Sequence, residues 1–142
     1  MQISFVESSD SIFVTSIIRI IHFVALIILW NTTSKMGKTP EASKYYSLNV
    51  AASVLVVSHL IILLFLSIYM YFLPDLDLNY FGIAIIIAFL LVHIGYILLW
   101  TNTGKMQNDK NVSELYNLNV ISSVLIGFGL LIQIISKYFV IE

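Results

Sequence analysis

Arg19 and His22 lie three residues apart in the run I-I-R-I-I-H-F-V-A-L-I-I-L-W, from Ile17 to Trp30. Three residues is nearly one helical turn, so both side chains are expected to leave one face of a helix. The neighbouring residues are apolar enough for a bilayer, where a charged group costs at least ~2.5 kcal/mol and calls for a partner. His59 and His93 fall in similar apolar runs, as do Asn49, Ser58, Asn119 and Gln133. No Asp or Glu occurs in these runs, so none of them offers Arg19 a carboxylate.

Such a set is open to three chemistries. In the first it is structural: Arg19 snorkels toward Asp10, Glu7 or lipid phosphate, and neutral histidines bond Ser58, Ser16, Thr15 or backbone carbonyls. In the second, two imidazoles at one depth on facing helices ligate a haem b. At 1.5 Å per residue, His22 lies ~12 Å in from Trp30 and His93 ~10 Å in from Trp100, a shared level. Arg19, ~16 Å in from Trp30, would answer a haem propionate. His59, ~20 Å in from Tyr46, is expected about 8–10 Å from that level. In the third, a homo-oligomeric ion channel or pore is lined by Arg19, His22, Asn49, Ser58, His59, His93, Asn119 and Gln133. An arginine without carboxylates favours anions there, and histidines make the path pH-sensitive.

The segment Arg19-Ile20-Ile21-His22-Phe23 resembles the Arg-x-x-His-Trp or Arg-x-x-His-Phe motif in the first span of b-type cytochrome subunits, which anchor hydrogenases and formate dehydrogenases. That resemblance, carried by five residues, implies that His22 is an axial haem ligand; His93 is the partner at matching depth.

Other chemistry has little to stand on. A net charge of -1 with no basic stripe argues against nucleic acid. The chain has no cysteine, which excludes disulfides, thiolate metal sites and Cys nucleophiles. There is no H-E-x-x-H, Gly-rich phosphate loop or nucleophile elbow. No catalytic residue is assigned, and the chain is not expected to be an enzyme by itself.

The elements that must position these residues are membrane helices. Of 142 residues, 59% are hydrophobic and 11% charged, against about 25% charged in a soluble domain. Four runs each reach the ~20 residues that a ~30 Å hydrocarbon layer demands. They cover roughly 11–30, 46–73, 80–100 and 116–139, and Pro74 ends the second. Lys35, Lys38 and Lys44 follow the first run, and Lys105 and Lys110 the third. The positive-inside rule therefore places both lysine loops in the cytoplasm and both termini outside. Asp75 and Asp77 then fall in an outer loop. Trp30, Trp100, Tyr45, Tyr46 and Tyr116 are read as the inner aromatic belt.

The two halves repeat at an offset of 70 residues. Trp30-Asn-Thr-Thr-Ser-Lys-Met36 matches Trp100-Thr-Asn-Thr-Gly-Lys-Met106, and Tyr46-Ser-Leu-Asn-Val50 matches Tyr116-Asn-Leu-Asn-Val120. The expectation is one membrane domain over 1–142, an all-α bundle of four transmembrane helices. It arises by tandem duplication of a helical hairpin, repeat one about 11–73 and repeat two about 80–139, as a parallel repeat. Asn49 and Asn119 are expected to bond across helices, and Ala51, Ala52, Ser53, Ser122 and Ser123 to let helices approach closely. Arg19, His22 and His59 face Phe89, Val92 and Gly129 in the other copy, so the intramembrane polar set belongs to one copy. The functional expectation is a small integral membrane subunit of a larger assembly. Its partners are the bilayer and other membrane subunits or its own copies. Its role is a haem b electron-transfer anchor, an oligomeric pore, or a purely structural accessory subunit.

Overall fold

The computed structural model describes residues 9–72 and 78–139. Its elements are α1 (Ser9–Lys38), a 3₁₀ turn (Pro40–Ala42), α2 (Ser43–Phe72), α3 (Leu78–Met106), a second 3₁₀ turn (Lys110–Val112) and α4 (Ser113–Phe139). All four helices are long and apolar enough to cross a membrane, and the described residues form an all-helical, multi-pass bundle. Glu7, Pro74, Asp75 and Asp77 lie outside the described residues.

The helices run further than apolar character alone foretells. α1 continues past Trp30 to Lys38, and α3 past Trp100 to Met106. The polar segments after each tryptophan hold no proline, and Gly37 and Gly104 within them remain helical. Their threonines bond back into the same helix: Thr32 Oγ1 donates to Ile28 O and Thr33 Oγ1 to Leu29 O, each at 2.7 Å, and Thr103 Oγ1 to Leu99 O at 2.7 Å. Two different sequences then make the same stop. Pro40 disfavours a helical Thr39, which is extended (φ -110°, ψ 112°). Asp109 is also extended, and its carboxylate accepts from the Asn111 N–H instead.

Packing follows a stripe with alternating steps of three and four, the spacing that holds one face toward a partner helix. On α1 the stripe is Ile18, His22, Ala25, Leu29, Thr32 and Met36; on α3 it is Ala88, Val92, Gly95, Leu99, Asn102 and Met106. Ala42, Tyr45, Asn49, Ala52, Val56 and His59 are buried along α2 and the turn before it. Val112, Leu115, Asn119, Ser122, Ile126 and Gly129 are buried along α4 and its turn. Each of these positions in the first half thus has a buried counterpart 70 residues on, the separation between Asn49 and Asn119. α2 packs most extensively on α3, and α1 on α4; the contacts within each hairpin are fewer. The outer surface is apolar, with Ile20, Phe65, Ile97 and Phe128 all exposed. An apolar outer surface on helices that satisfy their own backbone bonds is suited to lipid.

Candidate functional site

The centre of the bundle is an amide cluster near the turn end. Asn49 on α2 and Asn119 on α4 exchange both side-chain bonds: each Nδ2 donates to the other's Oδ1 at 2.9 Å. Asn49 Oδ1 also accepts from Asn102 Nδ2 at 2.6 Å, and Asn49 Nδ2 reaches Thr33 Oγ1 at 3.3 Å. Asn102 Nδ2 donates in addition to the Tyr45 carbonyl at 2.9 Å. The cluster therefore ties all four helices together. Small neighbours make this possible, for Ala52, Ser53, Ser122 and Ser123 are buried around it. The expected interhelical bonding of Asn49 and Asn119 is present, and they meet each other. Asn102 was not legible from the repeat, because its counterpart is Thr32 and nothing marked the position.

At the turn end the charges join the two halves. Lys35 pairs with Glu114 at 3.1 Å and Lys44 with Asp109 at 2.9 Å. Tyr45 Oη donates to Asp109 Oδ2 at 3.0 Å. The Lys44 ammonium, and then the Tyr45 hydroxyl, hold the Asp109 carboxyl below the usual aspartate range. Tyr45 is buried, so it belongs to this network and not to an aromatic belt; Trp30, Trp100 and Tyr46 are exposed as belt residues would be.

The histidines gather differently from the sequence expectation. His22 and His59 are both buried, with ring centroids 5.9 Å apart in an edge-on contact. The depth that set His59 well away from this level took Trp30 and Tyr46 as matched helix ends. In an antiparallel hairpin the turn sets the level, and His22 and His59 are nearly equidistant from Glu41. His59 Nδ1–H donates to Ala88 O at 2.8 Å, leaving Nε2 buried without a hydrogen-bond partner. His22 Nε2 lies 3.4 Å from Ile126 O. The ring of His22 occupies the space that a side chain at Gly129 would need, since a Cβ there would come within 2.5 Å of Nε2. Gly129, which lies 70 residues on from His59, is what admits His22.

His93 is only partly buried. Its Nδ1–H donates to Phe89 O of the same helix at 2.7 Å, and its ring packs on Phe89 with centroids 3.9 Å apart. The core position at that level is Val92. His22 and His93 therefore do not face each other as an axial pair, and the macrocycle's place is filled by the packed side chains of Ala25, Val56, Val92 and Ile126. As they stand, these residues do not fit a bis-histidine haem.

Arg19 and His22 also part company. Arg19 is exposed while His22 is in the core. Three residues on a helix leave about 60° between side chains, and the edge of the buried stripe falls within that angle. Arg19 Nη2 donates to Ser67 Oγ on α2 at 2.8 Å, and Ser67 Oγ donates to Leu63 O. Ser58 Oγ donates to Val54 O within α2, and Gln133 sits with His59, Leu63 and Phe89 along a cleft of about 260 Å³. Six of the eight polar candidates are thus divided among an amide centre, a buried imidazole pair, a partly buried histidine and an outer arginine, while Ser58 bonds within its own helix and Gln133 lines the cleft.

No family model, curated protein or solved structure matches the chain. The four long apolar helices fit a helical multi-pass membrane protein, and the functional reading rests on its own residues.

Proposed function

We propose that the chain is a non-catalytic, structural membrane subunit whose interior holds four helices in fixed register and whose apolar outer faces join other membrane helices, its own copies or those of a partner. The observation that carries this reading is the reciprocal Asn49–Asn119 pair with Asn102 and Thr33 attached. These buried amides bond each other in place of lining a path or cradling a ligand. A tandem duplication of a hairpin accounts for the recurrence of buried positions 70 residues apart, and the lysines near both turns favour a cytoplasmic placement of that end. The redox-anchor and pore readings draw less support, because His93 and Arg19 lie outside the core that holds His22 and Asn49.

The experiment is cysteine cross-linking in native membranes, with residues placed singly on the exposed faces at Ile97 and Phe128 in the naturally cysteine-free chain. Discrete higher-mass adducts are expected from at least one face. Exclusively monomeric protein from both faces would remove the assembly role. A Soret band in the purified protein would return the haem reading to first place.

A further inference from the structure

We propose that Arg19 marks the docking face for a transmembrane helix of a different chain, one that carries an aspartate or glutamate inside the hydrocarbon layer. The inference rests on the assembly role proposed above and names the partner for one face. The Arg19 Cα lies ~16 Å from the level of Trp30, the middle of a hydrocarbon layer ~30 Å thick. Its guanidinium is exposed on the α1–α2 face, where Nη2 donates to Ser67 Oγ at 2.8 Å. Ser67 stands five residues before the end of α2 at Phe72, ~8 Å inside it. Asp10 is nine residues away along α1, ~14 Å. The bond to Ser67 therefore holds the cation within the hydrocarbon layer, short of the headgroups on either side.

A cation held there, exposed to lipid and bonded to a neutral hydroxyl, calls for an anion at its own depth. The chain's four apolar runs contain no Asp or Glu. Among the described residues the ion pairs are Lys35–Glu114 and Lys44–Asp109, both at the turn end. A second copy lacks the same carboxylate, and a two-fold contact through this face would set one Arg19 against another. The complement is a carboxylate on a span of another protein. Ser67 engages Nη2 and leaves guanidinium donors for the paired bonds that arginine makes to a carboxylate. With water excluded, such a pair attracts far more strongly than at a wet surface. Ile20, Phe23 and Leu64 around it are exposed and apolar, a surface on which a second helix can pack in lipid.

The test uses the full chain in phosphatidylcholine vesicles, with fluorescence energy transfer to a synthetic leucine–alanine helix that spans the bilayer and bears one central glutamate. That helix is expected to associate about tenfold more tightly than its glutamine counterpart. R19Q, shown to be folded by circular dichroism, should bind the two alike, while K38Q, which removes a turn-end charge, should keep the preference. In native membranes, p-benzoylphenylalanine at position 20 should cross-link to a chain whose sequence places Asp or Glu inside a span, and R19Q should lose that adduct. The proposal is overturned if the wild type binds both helices alike, if R19Q keeps the preference, if K38Q loses it, or if the native adducts contain only lipid or a second copy of this chain. Assembly through the Ile97 and Phe128 faces is read by its own cross-links, so failure here leaves that wider role standing.

Discussion

Replacing Asn49 by alanine tests the amide centre most severely. The change deletes two bonds to Asn119, one to Asn102 and one to Thr33. Asn102 keeps the Tyr45 carbonyl and Thr33 keeps Leu29 O, but Asn119 is left with only the Met106 sulfur at 3.5 Å. Interhelical bonds in membranes average about 0.6 kcal/mol each, so four give about 2.4 kcal/mol. Stranding the buried Asn119 amide raises the loss toward about 4 kcal/mol. Asn119→Ala removes fewer bonds and should cost about 1–3 kcal/mol on the same scale. Because the two residues share their bonds, the double variant should fall short of the sum by about 1 kcal/mol or more. Unfolding in mixed micelles with increasing SDS, followed by circular dichroism, measures all three. A loss below about 0.5 kcal/mol for Asn49→Ala, or strict additivity in the cycle, would refute the reasoning.

Two further outcomes follow from the same geometry. Gly129→Ala sets a Cβ against the buried His22 ring and should destabilise by about 1–3 kcal/mol; the same change on a His22→Ala background should cost little, and an equal penalty on both backgrounds would locate the clash elsewhere. Asp109 titrates below its ordinary range because of Lys44 and Tyr45, so its contribution is complete above about pH 4, the unfolded value, and is lost as pH falls through the lower folded value. Thermal scans in detergent between about pH 7 and 3 should show this acid-side loss in the wild type and a flatter profile in Asp109→Asn.

The helical bundle was legible in the sequence, because four long apolar runs admit little else. Asn49 and Asn119, matched there at one offset, share the core bond that their buried polarity called for. The other side-chain assignments were harder to read. The first hairpin's helix ends were set at Trp30 and Tyr46, yet α1 runs on to Lys38 while α2 starts at Ser43, which misplaced His59 relative to His22. Arg19 and His22 share a turn, but the core stripe is narrow enough to take one and leave the other outside. Asn102 and Gly129 gain their meaning only from what they face, Asn49 and His22, and no local pattern announces either contact.

The absence of cysteine allows the central claim to be probed directly with Ser53→Cys and Ser123→Cys, placed singly at buried positions beside the amide cluster. With a membrane-impermeant thiol reagent supplied to both faces of vesicles, neither should be labelled, while Lys38→Cys at the turn should react readily. Labelling of either buried thiol at a rate comparable to that at position 38 would mean that water reaches the bundle centre, and the interior would then be a path and not a closed polar core.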